Sequence, residues 1–96
     1  MRADTMRAVV VTNGGRPAYE IPLAPCWQAY RALQLTHPGG EFDSHDGLAA
    51  AADVTRSTVS RFLSGGRVSL PVARRIVATL GLDFAAVAQA IPVAAA

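Results

Sequence analysis

Residues 47–67, GLAAAADVTRSTVSRFLSGGR, decide how the chain is read. Leu48 to Ala52 is a short helix of small residues, Asp53-Val54-Thr55 is a tight turn, and Arg56 to Leu63 is a second helix. Leu48, Ala52, Val54, Val59 and Phe62 are the apolar positions, and their spacing lets two short helices meet steeply around one small core. Ala49 falls where the helices approach most closely, so a larger side chain there forces them apart. The outward positions of the second helix are Arg56, Ser57, Thr58, Ser60 and Arg61, all hydrogen-bonding or cationic, with no carboxylate among them. Such a surface suits phosphates and base edges.

LAAAADVTRSTVSRFLSG resembles the helix-turn-helix of phage Cro and repressor-type regulators. Val54-Thr55 through Thr58-Val59-Ser60-Arg61 is similar to the same motif in Lac repressor-type proteins. The likeness spans roughly residues 45 to 90 and implies sequence-specific binding to double-stranded DNA. Asp53 stands where such motifs usually carry Gly, and Asp tolerates the left-handed backbone better than most residues. The competing reading is a helical hairpin inside an unrelated α-helical domain.

Ninety-six residues allow a single core. Half the chain is apolar, which argues against overall disorder. All nine basic residues are Arg, and the net charge is only +2. From Val54 to Leu82, however, there are five Arg (56, 61, 67, 74, 75) and no acid, a local footprint for a polyanion. The single cysteine, Cys26, excludes an internal disulfide, and with two distant His it makes no zinc site. It reads as a core residue. No apolar run reaches membrane-spanning length, and Asn13-Gly14-Gly15-Arg16 interrupts any signal-peptide pattern, so a cytoplasmic protein is expected.

Residues 1–6 read as a tail, with Met6 as a second candidate start. Arg7 to Thr12 is a β-branched strand, Asn13 to Arg16 a turn, and Pro17 to Leu23 a returning strand. Pro17 and Pro22 lack donors, so that strand is an edge or only partly paired. The hairpin must pack on the helices or pair with a second copy through residues 7 to 12, which gives a homodimer; the alternative is a wing touching DNA through Arg7 and Arg16. Residues 25–36 are expected as the first helix, with Trp27, Tyr30, Ala32, Leu33 and Leu35 on its apolar positions. Trp27 and Tyr30 are read as core in preference to a base-stacking platform. The loop 36–42 follows, with Phe42 tucked back. Asp43 or Ser44 caps the helix ending at Ala52, and Ser69 and Asp83 cap two more. Val72, Ile76, Val77 and Leu80 bury one face of the fourth helix, with Arg74 and Arg75 outside. Phe84, Val87, Ala88 and Ile91 place a fifth helix that ends at Pro92.

The expected fold is mainly α: a five-helix Cro/repressor-like domain over 24–92, an N-terminal tail and hairpin over 1–23, and a short tail over 93–96. The resemblance assigns base contacts to Arg56, Ser57 and Arg61, with Arg61 able to reach a phosphate instead. It assigns phosphate contacts to Ser44, His45, Thr55, Thr58, Ser60, Ser64 and Arg67; an exposed polar residue is the other reading of His45. No nucleophile sits beside a base and no Gly-rich phosphate loop precedes a helix, so no enzyme and no cofactor are expected. The function expected is a repressor of phage type. Two alternatives are an antitoxin that binds a toxin and autoregulates its operon, and an adaptor that uses the fold for protein contacts.

Overall fold

The computed structural model describes residues 8–91. The tails at 1–6 and 93–96, Arg7 and Pro92 lie outside the described residues. Gly14 and Gly15, with φ of +64° and +83°, reverse the chain between β1 (Ala8–Asn13) and β2 (Arg16–Pro22). Two successive positive φ values match the twist of the flanking strands, which is why a Gly-Gly pair serves here. The strands pair antiparallel from Ala8↔Pro22 to Asn13↔Arg16, with a register shift between Val11 and Thr12. Val9, Val11 and Ile21 point to one face and are fully buried.

That face is covered by helices. In α1 (Leu23–Thr36) the buried residues are Leu23, Cys26 and Tyr30, with Leu33 partly buried, a stripe at helical spacing. The expected core positions Trp27 and Leu35 are instead 44% and 76% exposed, and Ala32 is exposed as well. The apolar residues of α1 fit two helical phases, and the phase through Cys26 and Tyr30 is the one facing the core. Trp27 still helps to hold the fold, because its Nε1 donates to the Leu63 carbonyl at 3.3 Å and so partners one of the orphan acceptors at the end of a later helix.

The loop after α1 folds back so that Phe42 is buried. It then enters α2 (His45–Ala52), which is followed by α3 (Arg56–Leu63) and α4 (Leu70–Thr79). The loop and α2 touch at Gly47, where a Cβ would lie 1.6 Å from the Glu41 carbonyl oxygen, so only glycine allows this approach. Leu48, Val59, Phe62, Ile76 and Val77 are fully buried and join the sheet residues in one core cluster. Burying a side chain such as Phe62 or Ile76 is worth about 1.5–3 kcal/mol, so these two alone rival the turn and cap contributions.

The mainly α expectation is corrected here. Among the described residues there are five helices and a four-stranded mixed sheet in the order β3-β1-β2-β4. Two short strands account for the difference. Past the second helix, where the sequence reading placed no strand, the chain forms β3 (Arg67–Ser69), parallel to β1 with Val10↔Arg67, Val11↔Val68 and Thr12↔Ser69 in register. The expected fifth helix shortens to one turn, α5 (Phe84–Val87); Ala88 is extended, and Gln89–Ala90 forms β4 against Tyr19 and Glu20 of β2. Phe84 meets Tyr19 edge-on at 5.4 Å, so docking on the sheet replaces continuation of the helix. Pro17 and Pro22 fall outside the β4 pairing, so β2 is partly paired on that side. Because β3 occupies the Val10–Thr12 edge of β1, that edge is not open to a second copy as the hairpin-to-hairpin dimer required.

Candidate nucleic-acid interface

The steep meeting of α2 and α3 depends on a backbone device at Asp53. Its φ of 58° and ψ of 48° are left-handed, and it is the only non-glycine with positive φ among the described residues. The Asp53 amide donates to the Ala50 carbonyl (3.2 Å) and the Val54 amide to the Ala49 carbonyl (3.0 Å), a Schellman ending that turns the chain sharply. Ala49 and Ala52 are nearly fully buried at the contact with α3, as close approach requires.

Thr55 then caps α3. Its Oγ1 accepts from the Thr58 amide at 3.2 Å and lies 2.7 Å from Thr58 Oγ1 and 3.2 Å from Ser57 Oγ. One free amide of the first turn is thereby satisfied. On the inner side of α3, Val59, Phe62 and Leu63 are buried; on the outer side Arg56, Ser57 and Arg61 are exposed. The three side chains expected to meet bases therefore share a solvent-facing surface. Arg56 does not stand alone: its Nε lies 3.8 Å from Asp46 Oδ1 in the first turn of α2. Both groups are well exposed, so the pair holds Arg56 only loosely.

The residues expected at phosphates divide into two groups. Ser44, Thr55, Ser64 and Arg67 are exposed, although the Ser64 hydroxyl donates to the Ser60 carbonyl at 2.7 Å. Thr58, Ser60 and His45 are half-buried. His45 Nδ1 and Ser60 Oγ are hydrogen-bonded at 3.0 Å, and the His45 ring lies 6.1 Å from that of Tyr30. These two side chains brace α2 against α3 in this structure, so neither of the two sequence readings of His45 describes its contacts in full.

The exit of α3 repeats the ending of α2. Gly65, at φ +84°, donates to the Phe62 carbonyl (3.2 Å) and Gly66 to the Arg61 carbonyl (2.8 Å). A Cβ on Gly66 would come 2.4 Å from Arg61 Cγ, so the stem of Arg61 lies directly against the exit loop. From there the chain enters β3 at Arg67. Thr12 on β1 and Ser69 on β3, neither of them anticipated, thus flank the end of the recognition surface. No local signal marks them, because the ladder that brings them there joins residues far apart in sequence.

Residues 44–87 match the helix-turn-helix family model. The matched segment begins at the N-cap of α2 and ends with α5. It supports the Cro/repressor-type resemblance over those helices, and with it DNA binding, while leaving the Lac repressor-type likeness unsupported. Comparison with curated proteins and with solved structures finds no match. The matched family is one of DNA-binding regulators and not of enzymes. No helix among the described residues is long and apolar enough to cross a membrane.

Proposed function

We propose that the chain is a transcriptional regulator that binds double-stranded DNA through its helix-turn-helix, laying α3 in the major groove and acting as a repressor of Cro type. The observation that carries this reading is the division of α3. Its inner residues are sealed in the core, while Arg56, Ser57 and Arg61 stand in solvent on an element without an acidic side chain. Any surface helix has a polar outer face, but a purely structural hairpin has no need of one whose only charges are two arginines. Arg56 and Ser57 project from the N-terminal end of α3, where side chains in this docking geometry meet base edges, and Arg61 lies one turn further on. Ser44, Thr55 and Arg67 serve as backbone contacts at either end of the surface. Ser60 and His45 contribute chiefly by holding α2 and α3 together, Thr58 by its hydrogen bonds with the Thr55 cap, and Ser64 by closing the last turn of α3.

A two-fold operator requires two recognition helices, so the working form is a homodimer. Its contact surface lies elsewhere than the Val10–Thr12 edge of β1. Selection of bound sequences from random duplex DNA tests the proposal: a palindromic consensus is expected. A guanine paired with Arg56 contributes about 1–3 kcal/mol of discrimination, roughly 5- to 150-fold. Arg56→Ala should therefore lose preference at one position per half-site while binding random DNA as before. Equal losses on selected and random DNA overturn the assignment of Arg56, and absence of any salt-dependent duplex binding overturns the proposal.

A further inference from the structure

A recess of about 270 Å³ opens between α3 and the β1–β3 end of the sheet. Its wall includes Thr12, Thr58, Arg61, Arg67 and Ser69, with Val68 among its apolar lining. Two guanidinium-bearing side chains from different elements share this space, and no acidic residue lines it. Neither arginine has an ion-pair partner among the described residues. Arg61 lines it with its stem packed against Gly66. Ser69 is the N-cap of α4 but makes no side-chain cap hydrogen bond, so its hydroxyl is not committed to that helix end. The positive end of the ten-residue α4 begins at the same place. Thr12 has a different part: its Oγ1 donates to the Val68 carbonyl at 3.3 Å and holds β3 on β1, which keeps Arg67 and Ser69 in position.

We propose that this recess seats one phosphoryl group, a phosphodiester of the DNA backbone, between the guanidinium groups of Arg61 and Arg67 with the Ser69 hydroxyl as a third donor. The inference rests on the DNA-binding reading and refines it in two ways. It assigns Arg61 to the backbone and not to a base edge, and it makes the sheet part of the interface. Two like charges held together are mutually unfavourable until an anion bridges them. Guanidinium groups meet a phosphate through paired N–H donors, which makes them suited to that role. The volume is several times the roughly 30 Å³ share of a water, enough for a phosphate that keeps part of its hydration.

The test uses the full chain and two readouts. Inorganic phosphate titrated without DNA should shift the amide resonances of Thr58, Val68 and Ser69, and should not do so in Arg67→Ala, whose exposed side chain can be removed without disturbing the core. On a short duplex carrying one half-site, which engages one protomer, log Kd against log salt should flatten by about 0.9 in the Arg61→Ala/Arg67→Ala double variant, the value for one phosphate. The affinity lost between 50 and 200 mM salt then shrinks by about 3.5-fold. Flattening by about twice that amount means two separate phosphates and overturns the shared site. Resonances that stay still while the parent binds duplex DNA overturn the recess and leave the DNA reading intact. Phosphate binding without any duplex binding overturns the phosphodiester assignment together with the DNA reading.

Discussion

Replacing Gly47 by alanine tests the packing of the loop before α2 against the usual rule for helices. Alanine is the better helix former by about 1 kcal/mol, so propensity alone says that Gly47→Ala stabilises the protein. The structure gives the opposite sign. A Cβ at residue 47 would lie 1.6 Å from the Glu41 carbonyl oxygen and 2.8 Å from its carbon. Carbon and carbonyl oxygen rest at about 3.3 Å, so helix and loop must separate by roughly 1.7 Å. The obstacle is backbone, which cannot rotate aside as a flexible side chain would. Displacing it pulls on Phe42, which is buried, and on the hydrogen bond from Gln34 Nε2 to the Phe42 carbonyl at 3.0 Å. Forced overpacking of this kind costs about 1–3 kcal/mol, and part of the Phe42 burial is lost as well. Set against the gain in propensity, the net expectation is a loss of about 2 kcal/mol, or a Tm lower by about 8–16 °C for a domain of this size. Thermal and urea unfolding followed by far-UV circular dichroism read it directly. Gly39→Ala, where a Cβ meets nothing within 4 Å, is the control and should change little. A Gly47→Ala protein as stable as its parent, or more so, refutes the described approach of loop and helix.

At the turn of the helix-turn-helix, Asp53→Gly removes the strain of a side chain held at φ 58° and should raise stability by about 0.5–1 kcal/mol in the same unfolding assays; no gain means that the Asp53 side chain contributes something offsetting. Burial pushes the Cys26 thiol up to about 11, so in the folded protein at pH 8 its thiolate is about 100-fold scarcer than at the ordinary value of 9.0. Thiol-reagent labelling should be slower by at least that factor than in denaturant. The sign carries over to stability. The unfolded thiol ionises from about pH 9 and the folded one only near 11, so the stabilisation present below pH 9 is lost as pH rises through that window, and Cys26→Ala should flatten the decline.

The helix-turn-helix was legible because its signals are local. Thr55 as a cap, Asp53 at a left-handed turn and the alternation of Val59 and Phe62 with Arg56, Ser57 and Arg61 all lie within a dozen residues. The hairpin was legible for the same reason, through Gly14-Gly15. What escaped depends on partners distant in sequence. Arg67–Ser69 and Gln89–Ala90 are too short to show a period of two, and they are strands only because β1 and β2 offer free hydrogen-bonding edges. Phe84 and Val87 fit a helical pattern, and nothing local says that the chain turns to the sheet after one turn. On α1 the sequence admits two apolar stripes, and Trp27 drew attention to the wrong one, since its size suggests burial while its indole N–H is what the fold uses. The outer face of α3 was read in part: Arg56, Ser57 and Arg61 are exposed as expected, Thr58 and Ser60 are half-buried instead, and Asp46 beside Arg56 and the link between His45 and Ser60 required coordinates.

The parallel ladder between β1 and β3 has a bearing on how this molecule is assembled. Val10 and Arg67 must find each other across more than fifty intervening residues, a long loop to close before the ladder returns any stabilisation. During synthesis β1 emerges before β3 and waits for it until more than fifty further residues have been made. Folding should accordingly be slower than for a helical bundle of equal size. A fragment trimmed to residues 44–87 would retain β3 without the neighbour that anchors it.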